Sequence, residues 1–417
     1  MTAETAGQGA PSTHSTQVGI IGAGPAGLLM SYLLHRAGID NVVLEQRDRQ
    51  YTLDRVRAGV LEQGTVEFLT EAGLGERLHR EGFKHHGIYL QYGEERHRVP
   101  FTDLIDRSVW VYSQQEVVRD LVATLEASGT PALYEATDVA LHDLTGERST
   151  VSYRHDGGEH RLECDLIVGA DGFHGVSRPS IPLTHLTTYQ RDYPFAWLGI
   201  LADVAPSTDE LVYALHWKGF AMHSMRSNSV SRLYLQVDPT DSIDNWSDER
   251  IWSELDERLA TPGWALGHGE IFDKGITPMR SFVSSSMRYG HLFLVGDAAH
   301  IVPPTGAKGL NLAVSDVALL STAIQEHILR KSPDKLDAYS DTAVQRVWQI
   351  QHFSIWMTRM LHRFHEEPGT TSEADEFDYQ VQLGQLSHLV RSPSGMAHLS
   401  EYYTGLDMGL ASTLGDR

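Results

Sequence analysis

Apolar positions along this chain fall into three distinct rhythms. Residues 18–21 form a short apolar run, residues 26–37 carry apolar positions at helical spacing, and residues 42–44 are apolar again. That succession predicts strand, helix and strand, with the two strands parallel. Residues 61–82 also read as helical, and residues 115–128 predict an amphipathic helix with Val117, Val118, Leu121, Val122 and Leu125 on one face. Further strands are expected between 133 and 167. From about 186 to 284 the rhythm becomes alternating, as in SRLYLQV at 231–237, with turn clusters such as DPTDS. This predicts an antiparallel sheet. An apolar strand at 292–295 then leads into a helix with Leu310, Val314, Val317, Leu320 and Ile324 on one face, and helices dominate to about residue 389.

Composition narrows the classes of function. The 417 residues are enough for two or three packed units, and 41% hydrophobic with 21% charged residues is ordinary for a globular protein. With 34 Lys and Arg against 55 Asp and Glu, the net charge is -21, so a nucleic-acid partner is not expected. Cys164 is the single cysteine, which rules out a disulfide within the chain and a thiolate metal cluster, and suits a reducing cytoplasm. No apolar run reaches the roughly 18 residues of a membrane span, and the opening segment lacks the features of a signal peptide.

Candidate chemistry begins at GAGPAG. Gly22, Gly24 and Gly27 stand between a strand and a helix, with Ala26 at the helix start and Glu45 at the end of the second strand. The glycines allow a tight turn and close approach of a pyrophosphate to the helix N-terminus, and Glu45 can accept a ribose hydroxyl. A second strand end, LFLVGDAAH at 292–300, delivers Asp297, a carboxylate suited to a ribityl chain; the pair favours FAD over NAD. A third, CDLIVGADGFHGVSR at 164–178, delivers Asp171, His174 and Arg178. A second GxGxxG at a strand–helix junction is absent, so a nicotinamide reductant must bind outside a Rossmann domain of its own.

GAGPAG, DRVRAGVLEQG at 54–64, DGFHGVSR and GDAAHIVPPTGAKGLNLA together resemble the single-component flavoprotein aromatic hydroxylases, over residues 17–406. The resemblance implies an α/β (α+β overall) architecture: a Rossmann-like FAD-binding domain at 16–187, an inserted antiparallel-sheet substrate domain at 188–290, and an FAD-contacting, helical interface region at 291–407. Residues 1–15 are expected to be a disordered leader and residues 408–417 a flexible tail. The implied reaction uses NAD(P)H, O2 and a flavin C4a-hydroperoxide to hydroxylate 4-hydroxybenzoate to 3,4-dihydroxybenzoate. Another hydroxylated benzoate, such as 3-hydroxybenzoate or 3,4-dihydroxybenzoate, is an alternative substrate, and a non-catalytic flavin-binding sensor is an alternative of a different class.

The resemblance also implies site residues. Tyr213, Tyr403 and His85 match a proton relay from the substrate phenol, with His86 adjoining. Ser224, Arg226 and Tyr234 match the carboxylate site, and Pro304 and Thr305 a backbone segment beside substrate and flavin. Arg57, Gln114, Gly309, Leu310 and Asn311 match FAD contacts, and Arg232 a residue that steers flavin movement. Arg55, His174, Arg178 and Arg280 match NAD(P)H-binding positions. In the specificity segment QRDRQY, Gln46 and Arg47 exchange the residue types of the NADPH-selective pattern, with Arg49 added before Tyr51. NADPH, NADH or both therefore remain open. A homodimer and a cytoplasmic location complete what is implied.

Overall fold

A computed structural model describes residues 12–55, 59–364 and 372–407. Arg57 lies outside the described residues, as do residues 1–11 and the tail at 408–417.

Four parallel strands form the heart of the first sheet, in the order Asn41–Leu44, Ser12–Ile21, Gly158–Gly169, Leu292–Leu294. The strand predicted at 18–21 starts earlier, at Ser12, so Ser12–Ser15 are not part of a leader: they pair with residues 160–163 of the neighbouring strand. Their polar side chains gave no apolar signal, and the backbone ladder alone places them. Ile21 pairs with both Leu44 and Gly169, and Gly169 with Leu294, so all four carboxyl ends lie along one edge. That edge is where open α/β sheets bind ligands. The helices Pro25–Arg36, Gln114–Ala127 and Gly309–Arg330 contribute their apolar faces to one continuous core on this sheet.

The eight-stranded second sheet draws on more of the chain than the alternating region alone. Strands Thr188–Asp203, Val212–Leu215, Ala221–Met225, Ser231–Val237 and Glu270–Ser284 are joined by Ile88–Tyr92 and Glu95–Val99 at one end and His300–Ile301 at the other. Side chains alternate between its faces with the period of two that pleating imposes. Tyr213, Met222 and Tyr234 are register partners in a row on one face. Val212, Ala214, Leu233 and Leu235 point the other way, into a core that contains Ile251, Trp252 and Leu255. Those three belong to the helix Asp248–Arg258, which was not anticipated inside a region read as sheet. Its signals are local: Ser247 accepts a bond from Arg250 N–H at the N-cap, and Ile251 and Leu255 are one turn apart.

Residues 61–82 hold two shorter helices, Gln63–Glu71 and Gly75–Glu81, after the strand Val60–Glu62. Helices Asp334–Leu361, Glu373–Arg391 and Pro393–Thr404 follow to the end of the described chain. The helix Gly309–Arg330 is long and apolar enough to cross a membrane, although 61% of its most apolar window is buried inside the fold.

Candidate active site

The glycine turn has the geometry of a phosphate cradle. Gly22 adopts φ +103°, and its N–H bonds Leu44 O at 2.8 Å; a Cβ there would lie 2.5 Å from Ala170 O, so glycine is required on both counts. At Gly24 a Cβ would meet nothing within 4 Å, leaving the backbone open to a ligand. Gly24 caps the helix Pro25–Arg36 with no side-chain bond, so the first N–H groups keep their capacity for an anion. Glu45 accepts from Ala23 N–H at 2.7 Å and Arg47 N–H at 2.8 Å, which fixes its carboxylate at the next strand end. Asp297 stands exposed on the turn Gly296–Ala298 at the far strand of the same edge. These residues fit the ADP and ribityl portions of FAD.

Two buried residues that the sequence reading did not select hold this second turn. Asp316 accepts Gly296 N–H at 2.9 Å and pairs with His300 Nε2 at 2.6 Å. Burial alone would push the His300 imidazolium down, but the Asp316 carboxylate outweighs it and the net direction is up. Arg178 adds a third tie, donating to Ala298 O at 3.0 Å and Phe173 O at 2.6 Å while packed over both the Phe173 and Phe282 rings.

On the antiparallel-sheet side a cavity encloses about 390 Å³ of empty space, its open mouth included. Four expected residues, Ser224, Arg226, Arg232 and Tyr234, line it together with Val60, Val111, Leu211, Met222 and Met225. Gly59 brings two of its walls together, because the backbone there lies where a Cβ would be 2.2 Å from Tyr112 O. Arg226 donates from Nη2 to Gln115 Oε1 at 2.6 Å, while its Nη1 is buried without a partner. Arg232 also has a buried Nη1 without a partner. Burial, and then the neighbouring Arg232, pull the Arg226 guanidinium below its ordinary range. Among the described residues no carboxylate lies within 4.0 Å of either. Two guanidinium groups facing one cavity without a counter-ion make a site for an anion.

Beside this cavity, Tyr213 and Tyr403 share a hydrogen bond, Oη to Oη, at 2.6 Å. Both rings are fully buried and burial raises both phenols, so they are neutral at pH 7. Tyr403 is held from below by an unforeseen residue, Lys308. Its buried ammonium donates to Tyr402 O at 2.5 Å and Tyr403 O at 2.9 Å, capping the helix Pro393–Thr404, and pairs with Glu62 at 2.6 Å. His362 is a second unforeseen group. Its Nδ1 bonds Thr358 O at 3.0 Å and its Nε2 accepts from Trp197 Nε1–H at 2.7 Å, which fixes a neutral tautomer.

Other expected residues are placed less directly. His85 is buried with Nδ1 lacking a partner and is pushed down to about 4 by burial; His86 is exposed and bonds Thr102. Thr305 is buried against Thr358 at 3.0 Å, while Pro304 is exposed. Asn311 is already engaged, bonding Val60 O, Ala307 O and Glu62 N–H, so it knits the start of the helix Gly309–Arg330 to the strand Val60–Glu62. Gly309 and Leu310 open that helix, and Gln114 opens the helix Gln114–Ala127. The NAD(P)H set falls into two groups. Gln46, Arg47, Tyr51 and Arg55 are exposed after the second strand, with Arg47 over the Tyr51 ring; Arg49 is tied to Glu126 at 2.6 and 2.9 Å. His174, Arg178 and Arg280 surround Phe173. No hydrogen bond or ion pair joins the two groups among the described residues.

Residues 15–354 match the family described as FAD binding domain. The chain is 45% identical over 402 residues to p-hydroxybenzoate hydroxylase of Acinetobacter baylyi, covering 96% of this chain and 98% of that one. It is 26% identical to a 6-methylpretetramide 4-monooxygenase of Streptomyces rimosus, over 83% of this chain and 84% of the relative. The fold is also that of p-nitrophenol 4-monooxygenase from Pseudomonas putida, with a TM-score of 0.78 at 18% identity over 95% of this chain and 99% of that one. With the glycine cradle, the second strand-end turn and the cavity arranged as they are, the chain belongs to the FAD binding domain family, among the flavoprotein aromatic hydroxylases that its motifs resemble.

Proposed function

We propose that this flavoprotein hydroxylates 4-hydroxybenzoate at the carbon ortho to the phenol, giving 3,4-dihydroxybenzoate. The observation that carries this reading is the pairing of the Arg226 Nη1, buried without a partner in the cavity, with the Tyr213–Tyr403 hydrogen bond beside it. FAD, when bound, would supply the redox chemistry that couples NAD(P)H oxidation to the use of O2.

The residues of the chain bind, orient and manage one proton. Arg226 holds the substrate carboxylate, Ser224 and Tyr234 border it, and Arg232 adds positive charge from the same cavity. A neutral phenol without a carboxylate would leave Arg226 buried and uncompensated at a cost of several kcal/mol. Tyr213 Oη takes the substrate's phenolic proton as its own passes to Tyr403 and the Tyr403 proton moves on to the end of the relay, so the ring becomes electron-rich while water stays excluded. A free phenol titrates at about 10, and the neighbouring arginines favour its anion. His85, neutral inside the fold, is the acceptor assigned to the end of the relay. Gly22, Gly24, Ala26, Gly27, Glu45 and Asp297 hold the cofactor, with Gln114, Gly309, Leu310 and Arg57 assigned beside it.

Arg47 is the guanidinium assigned to the reductant, with His174, Arg178 and Arg280 from the second group. A homodimer formed through the C-terminal helices is assigned because Phe377 and Val381 are exposed one turn apart on the helix Glu373–Arg391. A cytoplasmic location is supported by the lone, buried Cys164.

Oxidation of NADH and NADPH followed across a panel of benzoates, with products separated by chromatography, tests the assignment. The expected result is stimulation by 4-hydroxybenzoate with a catechol product. No stimulation and no catechol overturns it.

A further inference from the structure

Arg226 has a protein partner that neither its motif nor its strand accounts for. Gln115 is buried in the first turn of the helix Gln114–Ala127, 111 residues away in sequence, and its Oε1 accepts from Arg226 Nη2 at 2.6 Å. The other end of the same carboxamide donates from Nε2 to Leu53 O at 2.9 Å, inside the helix Arg49–Asp54. Both ends are therefore fixed, and the guanidinium that lines the cavity is held with Nη2 occupied and Nη1 buried without a protein partner.

The partner is uncharged. A carboxylate here would form a charge-assisted pair with Arg226 and neutralise the charge that an acid substrate needs. A carboxamide orients the same nitrogen and leaves the positive charge available. Glu116, the next residue, acts on Arg226 only through space: its carboxylate is paired with Arg77 and with Arg119 at 2.8 Å and makes no contact with the guanidinium.

Building on the proposed substrate, we propose that Gln115 is a positioning and specificity-determining residue: its neutral carboxamide sets the Arg226 guanidinium and reserves its charge for the carboxylate of a benzoate. A residue that only filled space or capped the helix would affect charged and uncharged ligands alike.

The test compares wild type, Gln115→Glu and Gln115→Met as FAD-loaded enzymes, titrated calorimetrically with 4-hydroxybenzoate and with the uncharged isostere 4-hydroxybenzamide. In Gln115→Glu the Kd for the acid is expected to rise at least about tenfold, with the amide's changing less than about threefold, because one like charge is added beside one ligand only. KM for the acid rises with it, while kcat at saturation stays within about twofold. Gln115→Met keeps the length and removes the acceptor, so the acid is expected to bind a few-fold more weakly as the guanidinium loses its orientation. This variant also serves if Gln115→Glu does not fold with FAD. An unchanged preference for acid over amide in Gln115→Glu, or wild-type affinity for the acid in Gln115→Met, overturns the inference. A wild type that binds no 4-hydroxybenzoate overturns the substrate assignment itself, a failure visible before any variant is made.

Discussion

The two sides of the cleft use their arginines in opposite ways. Arg178, on the parallel-sheet side, is tied into the fold: it bonds two backbone carbonyls and lies against two phenylalanine rings, joining the turns that carry Asp171 and Asp297. Arg226 and Arg232, on the antiparallel-sheet side, each keep a buried nitrogen without a partner and face a cavity. The first arrangement stiffens a frame; the second leaves an anion to complete it. Buried polar groups in proteins are normally satisfied, so unsatisfied ones gathered around one cavity identify a ligand site more directly than the residue types alone.

Acid should expose the difference most strongly. Burial holds His85 and His223 down to about 4 and His362 to about 3, and all three belong to the substrate side or the elements packed on it. Their folded values lie below the unfolded value of about 6.5, so the folded state binds fewer protons than the unfolded chain. The stability they contribute is complete above about pH 6.5 and is lost as pH falls towards the folded values, several kcal/mol in total. Hydrogen exchange at pH 7 and pH 4.5 should show the eight-stranded sheet losing protection before the parallel strands. Equal loss in both sheets would erase the contrast.

Arg226→Ala removes the free cation. Binding of 4-hydroxybenzoate is expected to weaken about a hundredfold, roughly 3 kcal/mol, as measured by titration, with FAD retained. Tyr213→Phe removes one member of the buried Oη–Oη pair. It should lower hydroxylation by ten- to a hundredfold while substrate still binds, and single-turnover measurement separates the two. Arg178→Ala should behave in the reverse sense. The loss of two bonds to carbonyls and the ring stacking costs about 2 kcal/mol of stability, read in urea unfolding, with substrate Kd nearly unchanged. A large change in Kd would show that the frame and the anion site are not separable. The smallest effect is expected from Arg47→Ala, a less than about tenfold loss in kcat/KM that is greater for NADPH than for NADH, because this exposed guanidinium stacks only on Tyr51.

Much of the first side was readable from local sequence. The turn at Gly22–Gly27 and Glu45 obey short-range rules, since positive φ, helix capping and strand ends are decided within a few residues. The substrate side was readable only as residue types placed by resemblance. Alternation put Tyr213 and Tyr234 on one face of a sheet, yet nothing within a strand tells which distant helix will meet it.

The chain's sequence by itself determined the alternation of strand and helix, the glycine turn and the exclusion of disulfides, because these depend on neighbours along the backbone and on composition. Tertiary structure alone decided the rest. It brought Gln115 to Arg226 and Lys308 beneath Tyr403, buried Asp316 against His300, and added Ser12–Ser15 and the strand Ile88–Tyr92 to their sheets. Each of these pairs residues far apart in sequence, and burial then sets whether a charge is countered, capped or left for a ligand.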